Sequence, residues 1–126
     1  MTQNDVEAHV HGLIQSTLLG EAAENVPLAV FVADEDMNYV AVNPAACELA
    51  GYTREELLTL KVSDVAPDPP LRENWEATLA RGRLSGRGPL RRKDGTELAV
   101  DFWAYTTRVA QMIVYVAFIR PSEQDI

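Results

Sequence analysis

Residues 39–57 read YVAVNPAACELAGYTREEL, and their punctuation lays out three elements in a row. Tyr39–Val42 predicts a short strand of β-forming residues. Asn43 is a good N-cap and Pro44 is pre-shaped for the first helical position, so a helix is expected to start there. Gly51 stands where a C-terminal glycine belongs and keeps that helix short. Thr53 and Glu56 form a capping box, with Tyr52 placed to staple onto Leu57, which starts a second helix.

Upstream, Leu28–Ala33 is a fully apolar run rich in β-formers and predicts a buried strand. The polar stretch Asp34-Glu35-Asp36-Met37-Asn38 turns it into Tyr39–Val42 as a hairpin. At the N-terminus, Val6, Val10, Leu13, Ile14 and Thr17 draw one stripe of an amphipathic helix over Asp5–Leu19. Gly20 supplies a break, and Glu21–Asn25 adds a turn of helix before Pro27.

Downstream, the second helix is expected to run out near Lys61, and Ser63–Pro70 reads as a Pro/Asp-rich loop. Leu71, Trp75 and Leu79 stack at four-residue steps on a further helix that Gly82 closes. Arg87–Arg92 leads through the Asp94-Gly95 hairpin signal into a strand that alternates from Glu97 to Thr106. Met112–Ile119 is apolar on both parities, which predicts a strand covered on both faces. The order is two strands, three short helices and three strands, an α+β domain on an antiparallel sheet.

Composition bounds the function without naming it. The 126 residues carry 11 Lys+Arg and 19 Asp+Glu, a net charge of −8, with 47% hydrophobic residues. That profile is ordinary for a soluble globular domain, and one domain is the natural count. The single cysteine, Cys47, rules out an internal disulfide framework. With no secretory leader and no apolar run long enough to span a bilayer, a cytoplasmic location is expected. The acidic balance argues against direct nucleic-acid binding or attachment to an anionic membrane. The charge is lopsided, however: residues 1–80 hold 14 acids and three bases, and residues 81–126 hold eight bases and five acids. Arg81, Arg83, Arg87, Arg91, Arg92 and Lys93 form one positive edge. It reads as a charged edge strand protected from aggregation, or as a docking surface for an acidic protein partner.

The strand-turn-strand Val30-Phe31-Val32-Ala33-Asp34 to Tyr39-Val40-Ala41-Val42-Asn43, the run from Ala46 through Leu49-Ala50-Gly51-Tyr52-Thr53-Arg54-Glu55-Glu56-Leu57, and the hairpin Arg91-Arg92-Lys93-Asp94-Gly95-Thr96 resemble the PAS sensor domain family in order and spacing. The resemblance covers residues 25–120. It leaves 1–24 as an N-terminal helical extension and 121–126 as an exit segment. It implies a PAS-like fold: a five-stranded antiparallel sheet, order 2-1-5-4-3, with short helices over one face. Family members hold a cofactor or metabolite between helices and sheet, or fill that space with side chains. They serve as input modules of histidine kinases, transcription regulators and cyclic-dinucleotide enzymes, attached to an effector domain, and they often dimerise. One departure concerns the exit: Pro121 stands where the family usually has Asp, and it lacks the N–H of a continuing strand.

The fold does not fix the ligand, so the cofactor stays unknown at this point. The Gly-x-Asn-Cys-Arg run of the family's flavin photosensors is missing, and Cys47 reads as a small buried hydrophobe. Haem-binding members supply an axial His from the helical layer. Here His9 and His11 lie two apart on the N-terminal helix, pointing about 200° from each other, which makes no metal pair. Ser85, in a Gly-rich loop, matches neither a nucleophile elbow nor a phosphate loop. The cluster Asp34-Glu35-Asp36 reads as a solvated turn. Nothing points to catalysis, and a non-enzymatic domain is expected.

For the wall of the ligand pocket, one parity of the final strands is expected: Leu98, Val100, Phe102 and Ala104 with Met112, Val114, Val116 and Phe118. Val30, Val32, Leu57, Leu60 and Trp75 are further candidates. Asn43, Tyr52, Thr106 and Tyr115 are the polar groups available to orient a small molecule, with Asn43 equally suited to capping its helix. Trp103, Tyr105, Ile113, Tyr115 and Ala117 then fall on the opposite face. A large apolar patch rarely faces water on a monomer. The N-terminal stripe offers its cover, from the same chain or from a second one. The expected homodimer interface therefore comprises Val6, Val10, Leu13, Ile14, Trp103, Tyr105, Ile113 and Tyr115. A ligand-free interaction module and a haem or flavin redox sensor are the alternative functions.

Overall fold

The computed structural model describes residue 15 and residues 18–66 and 80–123. Five strands form one antiparallel sheet: β1 (Ala29–Ala33), β2 (Tyr39–Val42), β3 (Arg83–Arg91), β4 (Glu97–Val109) and β5 (Met112–Pro121). Their order is β2-β1-β5-β4-β3, as the family resemblance implies. Among the described residues, three short helices follow β2, α1 (Pro44–Ala50), α2 (Arg54–Leu57) and α3 (Val62–Val65), and residues 80–81 just before β3 are also helical.

The caps form as their residues dictate. Asn43 is extended at φ −98° and caps α1, while Gly51 ends that helix at φ 79°, where a side chain would be strained. The capping box of α2 closes in both directions: Glu56 N donates to Thr53 Oγ1, and Thr53 N donates to Glu56 Oε1. Tyr52 packs against the core cluster that holds Leu57. At the β3–β4 turn, Gly95 adopts φ 88° and the Asp94 carboxylate accepts hydrogen bonds from the Thr96 backbone and hydroxyl.

Three local readings need correction. Residues 18–25 are helical straight through Gly20, so that glycine is no break; a lone glycine costs a helix only about 1 kcal/mol. Contacts to the domain hold this segment, through Glu24 paired with Arg54 and Ala23 O accepting from Asn43. Val62–Val65 is a helical turn where a loop was expected. Its start is stabilised by Asp64, whose carboxylate accepts from Lys61 N at 2.9 Å. Finally, β3 begins at Arg83, four residues before the expected Arg87. The proline inside it, Pro89, sits on the outermost strand, the place where a missing N–H is tolerated. Pro121 is the last residue of β5, and Ser122 N continues the ladder to Ala99 O.

Register decides what each face carries. Phe102 pairs with Ile119, Ala104 with Ala117, and Thr106 with Tyr115. Even residues of β4 therefore share a face with odd residues of β5. On the other side of β5, Ala117 pairs with Phe31 and Tyr115 with Ala33. The inner face thus joins Ala29, Phe31, Ala33, Val100 and Leu90 in the main core with Leu57, Val65, Ala46 and Ala50 of the helices. A second, smaller cluster of Val30, Val114 and Val116, with Val26, Val32 and Phe118 against it, occupies the outer face.

Candidate functional site

Between the helical layer and the sheet lies a cavity of about 140 Å³. Every strand contributes to its wall. β1 supplies Phe31 and Ala33, β2 Tyr39, β3 Leu84, Gly88 and Leu90, β4 Val100, Phe102 and Ala104, and β5 Tyr115, Ala117 and Ile119. Val62, Val65 and Ala66 border it from α3 and the residue after it.

The space exists because inner positions in the middle of the sheet are small. Ala33, Ala104 and Ala117 meet at neighbouring rungs, and Gly88 has no side chain to place opposite Val100. Gly86 plays a related part. A Cβ built there would lie 3.1 Å from Phe102 Cζ, so the glycine is what lets that ring lie against β3. This alternation of small and large inner residues is present in the sequence, but it becomes a signal only once the strands are paired.

The lining is apolar apart from two phenols. Tyr39 is buried and packs on Phe31 with ring centroids 5.4 Å apart. Burial, and then the charge of Asp64, push its hydroxyl well above the usual tyrosine range. Tyr115 is also buried, and burial followed by the charge of Glu35 raises its pKa. Both stay protonated at neutral pH, able to donate a hydrogen bond and to accept one.

The expected pocket residues divide. Val100, Phe102 and Ala104 line the cavity, and so does Tyr115. On β5 the expected parity is reversed. Val114 and Phe118 pack on the outer side with Val30, and Val116 belongs to that cluster while also bordering the cavity. Val30 and Val32 are outer-face residues for the same reason. Tyr115 and Ala117, expected on the outside, line the cavity instead, and Ile113 shares their parity. The cause is the two-residue turn Ala110-Gln111, which pairs Val109 with Met112 and sets odd against even throughout the hairpin.

Leu57 is fully enclosed in the main core, and Tyr52 packs on that same cluster. Asn43 is committed to structure. Its Oδ1 accepts from Val30 N at 2.9 Å and Ala46 N at 3.0 Å, and its Nδ2 donates to Leu28 O and Ala23 O. Cys47 packs against the core from α1, its thiol pushed up by burial, and is not among the cavity's described lining. Trp75, His9, His11 and the stripe Val6, Val10, Leu13 and Ile14 lie outside the described residues.

The outer face differs in chemistry. Trp103 and Tyr105 are 44% and 39% exposed, and Tyr105 stacks on Phe118 at 6.1 Å. Arg120 lies 5.1 Å over the Trp103 ring and shares Asp101 with Arg87. Part of the positive edge is paired with acids of the same domain. Arg91 meets Glu97 at 3.3 Å and Lys93 meets Glu56 at 2.5 Å, while Arg92 donates to the neutral Thr96 Oγ1. The Asp34 carboxylate accepts from Asp36 N and Asn38 N, so it builds its own turn.

A sheet ordered 2-1-5-4-3 with short helices enclosing a cavity on one face is the architecture of a PAS domain. The sequence profile of the PAS fold matches residues 23–121, and the chain belongs to that family. Among solved structures, it is similar to the PAS domain of a two-component sensor histidine kinase, at 20% identity over 88% of this chain and 99% of that one, with a TM-score of 0.79. A domain of the sensory box sensor histidine kinase/response regulator from Geobacter sulfurreducens is 26% identical, over 84% of this chain and 93% of that one, with a TM-score of 0.68. The PAS domain of nitrogen regulation protein NR(II) from Vibrio parahaemolyticus is 15% identical, over 83% and 98%, with a TM-score of 0.72. No curated protein sequence matches the chain. Among the described residues, no helix is long and apolar enough to cross a membrane.

Proposed function

We propose that this domain is a cytoplasmic signal-input module, without catalytic activity of its own, that holds a small molecule between its helices and sheet. The observation that carries this reading is the cavity itself, an apolar space of about 140 Å³ in the core. Well-packed interiors leave few voids larger than a water molecule. The similarity to histidine-kinase PAS domains supports a place upstream of such an effector. A ligand would act by binding one packing state of helices on sheet more tightly than another.

Output through pairing of two chains is the second part of the proposal. The exposed Trp103 and Tyr105 on the outer face support it, with the N-terminal stripe and the outer-face residues as the shared interface. Native mass spectrometry of freshly purified protein tests the first part: a retained small-molecule mass is expected. Light scattering at micromolar concentration tests the second, with a dimer mass expected and a monomer counting against it. A ligand-free interaction module is the reading favoured if the dimer forms and no small molecule is ever bound. An absorption spectrum addresses the haem or flavin alternative, because both groups are coloured.

A further inference from the structure

The dimensions and chemistry of the cavity narrow what it can take. Its volume is about 140 Å³. Pockets for drug-sized ligands and cofactors run to about 300–1,000 Å³. An apolar cavity of about 150 Å³ in another protein takes up benzene or xenon and otherwise stays dry.

Charge narrows it further. Among the described residues the lining contains no Lys, Arg, His, Asp or Glu. Burying an ion without a partner costs several kcal/mol, so neither a carboxylate nor an ammonium has a compensating group here. The charges that act on the lining tyrosines, Glu35 and Asp64, are both acids, which opposes an anion a second time. What remains is apolar wall with two protonated phenols.

We propose that the cavity is a site for a neutral, compact, apolar molecule, of one aromatic ring or a comparably small branched aliphatic, carrying at most one hydroxyl or carbonyl. This rests on the reading of the cavity as a ligand site and specifies its ligand class. Phe102 and Ala117 are the residues that set the size limit. Phe102 is held aside by the bare backbone of Gly86, and Ala117 leaves the centre of the wall open.

The probes are toluene, benzoate and benzylammonium, which share a ring and differ in charge, with thermal unfolding of the full chain as readout. Toluene near saturation raises the Tm by about 4 °C or more, and benzoate and benzylammonium leave it unchanged. In Ala117→Leu the toluene shift disappears; if that variant does not fold, Ala117→Val serves, with the shift at least halved. Equal or larger shifts with either charged probe overturn the ligand class while leaving the cavity a ligand site. So does native mass spectrometry showing a retained molecule too large for one ring. A chain that retains no molecule, ignores all three probes and gains Tm in Ala117→Leu has only a packing void, and both readings then fall.

Discussion

The two faces of the sheet are built from the same five strands, yet their side chains solve opposite problems. The inner face is packed against by α1–α3 and keeps small residues, Ala33, Ala104 and Ala117, where they leave room. The outer face carries large residues, Trp103, Tyr105 and Phe118, and leaves them partly open, with Arg87, Arg120 and Asp101 among them. Burial therefore does not follow residue size in this sheet. The inner face, which sets those alanines among Phe31, Phe102 and Tyr115, is the better covered, because the helical layer is held over it by apolar packing and by buried hydrogen bonds.

Asn43 is the strongest of those ties, and removing it is the most direct way to break the contrast. Asn43→Ala leaves Val30 N on β1, Leu28 O just before that strand and Ala23 O in the preceding helical segment without their side-chain partner. Ala46 N on α1 keeps only its bond to the residue-43 carbonyl. A loss of about 4 kcal/mol is expected in denaturant unfolding, since leaving buried groups unpaired costs more than a hydrogen bond contributes. Leu90→Ala, on the inner face at 2% exposure, should cost about 3 kcal/mol and enlarge the cavity. Trp103→Ala on the outer face is expected to cost the isolated domain less than about 1 kcal/mol and to weaken any pairing of chains instead. Equal losses at Leu90 and Trp103 would erase the distinction between the faces.

The hairpin that assigns β5 residues to the faces offers a sharper, smaller test. Ala110 and Gln111 hold φ of 49° and 66°, the left-handed conformation that Asn-Gly adopts readily. Replacing them with Asn-Gly should stabilise the domain by about 1 kcal/mol at unchanged register. A destabilised double variant would contradict the pairing of Val109 with Met112.

The smallest effect is a pH limb. Tyr39 has its folded pKa raised above the ordinary 10.0, so its contribution is complete below pH 10 and is lost progressively as pH climbs from there toward the folded value. Tyr39→Phe should flatten that alkaline limb of stability and leave the neutral region little changed. At the acid end the sign reverses. Glu56, lowered chiefly by its hydrogen bond from Lys93, contributes above its ordinary 4.5 and loses that contribution as pH falls through its lowered value.

Local chemistry made much of this fold readable in advance. Asn43-Pro44, Gly51, Thr53 with Glu56, and Asp94-Gly95 each act within a few residues, and each forms as its side chains dictate. The candidate site was legible only in part. Val100, Phe102 and Ala104 follow from alternation along one strand, but the β5 half of the wall was placed on the wrong parity. Alternation says which residues share a face of one strand, and it is silent on how two strands are paired. The turn between them carries no glycine, so its length gave no sign. The α3 turn was hidden for a related reason: its cap is the backbone of Lys61 held by Asp64, a carboxylate inside the segment that read as loop.

The amino-acid sequence by itself determined the succession of strands, the caps of α1 and α2, the Asp94-Gly95 turn and the placement of apolar residues on β4, because those depend on neighbours one to four positions apart. Tertiary structure alone decided which half of β5 faces the helices. It also brought Ala33, Gly88, Ala104 and Ala117, distant along the chain and unremarkable singly, around one apolar space. Register is a property of two strands at once, and a cavity is a property of five.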